Sequence, residues 1–296
     1  MGHDKPYHDL YPLNLFSFQI LKVSIKMLSA PVQSMRIDMK NTLLQHAKTI
    51  AYQVGKHIVQ HRPTRVDKKG CKDLVSNLDE HAEQLIRDYL MEHTPEIPIF
   101  AEEMGGANDA TTRWIVDPID GTTNFVQGIP HFAVSIALEW DGEIVVAVTY
   151  DPSKDELFSA IKGGGAFLND VPIRGSDECE LEDAVLATGF PYDRAERAEE
   201  LLDGIQPFLI QSRGIRRMGA ATLDMAYVAC GRLDGYWEIG LQPWDAAAGL
   251  LLIQEAGGVC TQLDGSPMSI QTPRVLSANS QSLWDSMFND MGSYRT

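Results

Sequence analysis

A mixed α and β fold, α+β in its first half and α/β in its second, is what this sequence predicts. Three observations predict it. Two helical stripes come first, a run of short extended segments follows them, and strands alternate with helices in the remainder.

The elements follow in order. Positions 43, 47, 50, 51, 54 and 58 are Leu, Ala, Ile, Ala, Val and Ile, the i, i+3/i+4 spacing of an amphipathic helix that ends before Pro63. A second helix begins after Ser76 or Asn77, either of which can cap it. Its apolar side is Leu78, Ala82, Leu85, Ile86 and Tyr89, and Pro95 lies past its end. Residues 97–100 and 114–116 are brief apolar runs bounded by acids and Gly. Residues 132–140 and 143–150 flank Asp141-Gly142, a strong hairpin signal, and 157–161 and 166–168 flank Gly163-Gly164-Gly165. Further on, 184–188, 214–217, 235–239, 259–262 and 275–277 predict strands. Helices are predicted over 195–211, 220–230, 246–256 and 280–289. The charged stretch 177–183 marks a boundary near residue 180. Residues 36–180 are then one α+β domain, 181–296 an α/β domain, and 1–35 an N-terminal extension.

Length and charge exclude several classes. The 296 residues suit one large domain or two ordinary ones, and 44% hydrophobic content is enough for a real core. With 25 basic and 41 acidic residues the net charge is −16, so direct binding to nucleic acid or to an anionic membrane has no general electrostatic basis. Residues 10–28 are rich in Leu, Phe and Ile. Pro12, Asn14, Gln19, Lys22 and Lys26 interrupt them, so they form neither a membrane span nor a clean signal peptide. With Met35 and Met39 just ahead of the first helix, residues 1–35 read as an appendage from an upstream start, and the expected location is cytoplasmic. Cys71, Cys179, Cys230 and Cys260 are widely spaced and read as reduced thiols.

The chemistry concentrates in residues 114–125. An apolar strand runs into Asp117, Pro118 stiffens the turn, and Asp120 precedes Gly121, Thr122 and Thr123 at the start of a helix. Two carboxylates and the Ile119 carbonyl can face one point. Such oxygens suit hard cations, Mg²⁺ above all, and the absence of His and Cys argues against zinc. The open amides beyond can receive phosphate. The plain structural alternative is an Asp-rich capped turn. Glu102-Glu103 after another apolar run, and Trp244-Asp245 opening an apolar helix, weigh against it. Gathering so many acids without cations is unfavourable, whereas a two-metal phosphoryl site needs them.

Over residues 40–288 the sequence resembles the inositol monophosphatase family, particularly its bacterial SuhB-type branch. The resemblance rests on Asp117-Pro118-Ile119-Asp120-Gly121-Thr122-Thr123-Asn124-Phe125 and on Trp244-Asp245-Ala246-Ala247-Ala248-Gly249. Glu102-Glu103, Asp73-Leu74-Val75 leading to Asp79, and Gly219-Ala220-Ala221 leading to Glu238 support it. Ala101 departs from the family's usual Gly, which matters only if that backbone needs a positive φ.

The resemblance implies a layered αβαβα sugar-phosphatase fold and Mg²⁺-dependent hydrolysis of myo-inositol 1-phosphate and similar polyol phosphates by a metal-activated water. Glu102, Asp117 and the Ile119 carbonyl would hold the first Mg²⁺. Asp117, Asp120 and Asp245 would hold a second, and Glu102 helps a weaker third. Thr122, backed by Asp79, would orient the water, with Gly121 and Thr122 amides on the phosphate. Gly219, Ala221 and Glu238 would line the alcohol pocket, completed by Asp120 and Asp245, and Lys68 matches a family lysine near the metal. Lithium sensitivity and a homodimer come with the family. Alternatives are fructose 1,6-bisphosphate, a nucleotide 3′-phosphate or NADP as substrate, or a regulatory role as a partner of the transcription machinery.

Other features read as structure. Gly163-Gly164-Gly165 lacks a Lys-Ser/Thr ending and reads as a turn. His131 and Cys71 read as packing. Arg213, Arg216 and Arg217 read as a solvated or interdomain face, with phosphate steering or a protein partner the alternative.

Overall fold

Helix α1 (Ile37–Gln60) buries Leu43, Ala47, Ile50, Ala51, Val54 and Ile58, the stripe that the spacing predicts. The structure is a computed structural model that describes residues 37–69 and 74–295, so the predicted extension 1–35 and Cys71 lie outside the described residues. A short antiparallel ribbon follows, β1 (Val66–Lys68) against β2 (Leu74–Ser76). Ser76 then caps α2 (Asn77–His93) reciprocally: its Oγ accepts from Leu78, and Asp79 accepts from the Ser76 amide at 2.9 Å.

Eight strands form the first sheet: β3 (Ile99–Ala101), β4 (Gly105–Gly106), β5 (Arg113–Asp120), β6 (Ala133–Trp140), β7 (Glu143–Asp151), β8 (Glu156–Ile161), β9 (Gly165–Leu168) and β10 (Val171–Pro172). Their order is β10-β9-β8-β7-β6-β5-β3-β4, with β3 parallel to β5 and the other pairs antiparallel. Helix α3 (Thr122–Gln127) continues from β5. The remainder comprises β11 (Val185–Thr188), α4 (Ala198–Gln211), β12 (Gly214–Arg216), α5 (Ala221–Ala229), β13 (Gly235–Ile239), α6 (Pro243–Glu255), β14 (Val259–Gln262), β15 (Arg274–Ala278) and α7 (Gln281–Asp290). Its five strands are ordered β12-β11-β13-β15-β14.

The layers follow from which faces are apolar. Helices α1 and α2 cover one face of the large sheet. Helices α5 and α6 lie between the two sheets, and α4 and α7 cover the far side of the small one, which is the αβαβα order. Every residue of β5 and β6 is buried, as strands covered on both faces must be. Sandwiching also explains α6, which buries a continuous run from Ala246 to Ile253 and so carries no polar face.

Three expectations change. The strand predicted over 114–116 extends to Asp120, so Pro118 sits in a strand and not in a turn. The helix predicted from 246 starts at Pro243, pre-shaped for a first turn and capped by Gln242 and Asp245. Helix α4 starts at Ala198, later than predicted, and carries Pro207 inside it. The three-glycine turn is confirmed as a turn. The Gly163 and Gly165 amides both donate to the Glu255 carboxylate at 2.8 Å, where an anion would be repelled.

Candidate active site

Residues three apart on a regular strand face opposite sides, so Asp117 and Asp120 should diverge. A bulge reconciles them. Asp117 pairs with Ser135 and Asp120 with Ala133, so β5 carries one extra residue there. Pro118 lies inside the bulge, where its missing N–H leaves no gap in the ladder. Asp117 Oδ1 accepts the Ile119 amide at 3.0 Å, holding the kink. Asp245 arrives from the first turn of α6, where it also accepts the Gln242 amide at 2.7 Å. Asp117, Asp120 and Asp245 each offer an oxygen within 4.8 Å of the others.

Glu102 leaves the end of β3, its amide donating to the Val116 carbonyl at 3.2 Å, and lies against Asp117. Ala101 is fully buried in β3 and takes no positive φ, so the departure from Gly brings no strain. Lys68 is exposed on β1. Its neighbour Lys69 faces the acids instead, with its ammonium 2.8 Å from Glu102 Oε1 and 2.5 Å from Glu103 Oε1. Lys69 lies one residue past the end of β1, and it is the lysine whose contacts with the acids the structure shows.

The acids resist ionisation. Burial raises Asp117 and Asp245 well above the usual carboxylate range, and the surrounding carboxylates add to it. Burial likewise raises Glu102, against the pull of Lys69, and Asp120, against bonds from Thr222. A divalent cation would reverse both penalties at once. The donor set is all oxygen, which fits Mg²⁺.

Thr122 opens α3. Its hydroxyl lies 3.0 Å from Asp79 Oδ1 and 3.0 Å from the Ile119 carbonyl. Gly121 before it has φ +85°, and a Cβ there would sit 3.1 Å from the Gly219 carbonyl, so only glycine fits. Asn124 Nδ2 donates to the carbonyls of His131 and Met218, both at 2.8 Å, which ties α3 to the segment entering α5. His131 is buried with its Nε2 3.8 Å from Asp224 and its ring edge-on to Tyr227, the packing role that its sequence predicts.

A cavity of about 370 Å³ opens over these residues, and Asp120, Gly121, Thr122, Gly219, Ala221, Glu238 and Asp245 all line it. Asp79, Glu102, Asp117 and Ile119 are not among the lining residues. Arg194, Arg217 and Asp224 line it too. Of these, sequence reading singled out only Arg217, in a basic cluster. Its guanidinium stacks over Phe190, whereas Arg213 pairs with Asp183 away from the cavity.

Glu238 is a buried carboxylate in the cavity lining. Tyr236 donates its hydroxyl to the carboxylate, and burial pushes the Glu238 pKa up to about 7. Gly189 leaves the room, since a Cβ there would meet a Glu238 oxygen at 2.0 Å. A carboxyl raised from 4.5 to about 7 binds its proton more tightly folded than unfolded. Stability from this group is therefore present at low pH and lost as pH rises from about 4.5 to about 7. Glu238→Gln is expected to raise the Tm of the metal-free protein at pH 8 and leave it unchanged near pH 4. Thermal unfolding at both pH values checks this, and equal shifts would contradict it.

Carboxylates gathered in an apolar surround are workable around a cation, and a cation beside open helix amides attracts phosphate. On this layered frame, the class so defined is the metal-dependent phosphatases. The chain belongs to the inositol monophosphatase family, whose family model matches residues 39–291. It is 45% identical over 247 residues to an inositol-1-monophosphatase of Rhizobium meliloti, covering 81% of this chain and 92% of that one. It is 40% identical over 243 residues to the Escherichia coli Nus factor SuhB, covering 81% and 91%. The crystal structure of the extragenic suppressor protein SuhB from Bartonella henselae superposes with a TM-score of 0.79 at 40% identity, covering 84% of this chain and 98% of that one.

Proposed function

We propose that this chain hydrolyses myo-inositol 1-phosphate and related polyol monophosphates with Mg²⁺. The observation that carries the reading is the convergence of Asp117, Asp120 and Asp245 within 4.8 Å, beside a cavity that Glu238 also lines. Glu102, Asp117, Asp120, Asp245 and the Ile119 carbonyl would hold the ions. Bound there, Mg²⁺ neutralises phosphate charge and acidifies the attacking water.

The chain's own residues do the rest. With its proton turned to Asp79, the Thr122 hydroxyl offers a lone pair to a water in the cavity and orients it. Asp79, raised by burial, can take up the proton passed along this route. The first amides of α3 have no acceptor within the helix and can bind phosphate oxygens. Glu238, once ionised, accepts hydrogen bonds from the alcohol's hydroxyls. Positioning and charge supply most of the effect in such transfers.

Phosphate release across a substrate panel tests the choice. Inositol 1-phosphate is expected to outrank fructose 1,6-bisphosphate, a nucleoside 3′-phosphate and NADP, with inhibition by Li⁺. The reverse order would favour the second reading, a substrate with a second anionic group, for which the guanidinium groups of Arg194 and Arg217 at the cavity are the supporting observation. The name of the Escherichia coli relative supports a regulatory role with the transcription machinery. Pull-down from lysate with Asp117→Asn separates that role from catalysis, since retained partners need no turnover. A homodimer and a cytoplasmic location complete the proposal. Among the described residues no helix is long and apolar enough to cross a membrane.

A further inference from the structure

Thr222 reaches the acidic cluster from the other half of the chain. Its amide donates to Asp120 Oδ2 at 2.8 Å and its hydroxyl donates to the same oxygen at 2.6 Å, across 102 residues of sequence. The side chain is fully buried. We propose that Thr222 is a positioning residue for the cation site: it fixes the rotation of Asp120, so that Oδ2 caps α5 and Oδ1 is left for the ion. The proposal rests on the reading of the acids as metal ligands.

Helix α5 lacks a side-chain cap of its own. Its N-cap residue, Ala220, has no side chain able to bond the first-turn amides, and such amides need an acceptor. Asp120 supplies it from the end of β5. Two donors on one carboxylate oxygen, one of them at a helix start, are strong and directional. They matter here because the groups facing Asp120 are mostly repulsive. Asp117 and Asp245 lie in the same trio and Asp224 adds a further like charge, against which stand the His131 ring and the Ala221 amide. A carboxylate so placed swings away from its neighbours unless something holds it. Thr222 does so with both its amide and its hydroxyl, beside the Ala221 amide, and it acts only when α5 has docked against the large sheet. Completion of the site is thereby coupled to assembly of the two halves.

The test measures ion binding without turnover. Mn²⁺ affinity, read from the electron paramagnetic signal of the free ion, is compared in the wild type, Thr222→Ala, Thr222→Val and Thr222→Ser. Loss of the hydroxyl is expected to weaken Mn²⁺ binding about 10–100-fold, the usual effect of removing a group that orients a metal ligand. The Mg²⁺ concentration for half-maximal activity should rise in parallel, while kcat at saturating Mg²⁺ stays within a few-fold of wild type. Thr222→Ser should restore binding. Thr222→Val keeps the volume and tests the hydroxyl alone if Thr222→Ala does not fold. Wild-type Mn²⁺ affinity in both Thr222→Ala and Thr222→Val, or no recovery in Thr222→Ser, would overturn the proposal while leaving the phosphatase reading intact. A wild-type protein that binds no divalent ion would overturn both.

Discussion

Asp117→Asn is expected to lower phosphatase activity about 10²–10³-fold or more, the scale at which removal of one transition-state charge stabiliser is felt. The fold should survive, because an amide oxygen can still accept the Ile119 N–H that holds the β5 bulge. Metal-free stability should rise. Asp117 is almost fully buried, with Glu102, Asp120 and Asp245 around it, and the substitution removes that like-charge repulsion. Thermal unfolding with and without Mg²⁺ reads both effects: a higher Tm for the metal-free variant, and a smaller gain on adding Mg²⁺. A variant with full activity, or one with a lower metal-free Tm, would refute the assignment of these acids to the cation.

Thr122→Val is the complementary case. The substitution keeps shape and removes the hydroxyl that lies between Asp79 and the Ile119 carbonyl. Activity is expected to fall about 10²–10⁴-fold, the range for loss of a positioned proton-transfer group. Divalent binding should stay within a few-fold of wild type, since no proposed ligand is altered. Kinetics at saturating Mg²⁺, with Mn²⁺ affinity measured separately, distinguish the two residues. Equal losses of activity and of affinity would instead place Thr122 among the ion's ligands.

Much of the fold was legible because its signals are local. Asp141 and Gly142 take the positive φ values that a tight hairpin demands, and the strands around them are long enough to show a pattern. Strands β1, β2, β4 and β10 have two or three residues each, too few for any period, and they went unread. The bulge in β5 was misread for a different reason. Asp-Pro-x-Asp-Gly has turn chemistry, and only the pairing with β6 makes it a strand with one residue too many.

The site divides in the same way. Asp117, Asp120 and Asp245 stand in short segments whose composition suggests oxygen ligands, and the family resemblance sharpened that into named positions. Lys69 was not singled out, because it lies past the end of β1 in a segment with no period to read. Thr222 and Arg194 were invisible. Their importance comes from the approach of α5 and of the segment after β11 to the end of β5, contacts between halves that no local pattern encodes.

On the proposed reading, the carboxylates gathered by the β5 bulge and the start of α6 hold the ion on which hydrolysis depends. Phosphate release from myo-inositol 1-phosphate by the EDTA-stripped protein, before and after Mg²⁺ is returned, tests it most directly. Turnover should be absent from the stripped protein and restored by Mg²⁺. Equal turnover in both states, or none in either, would contradict the claim.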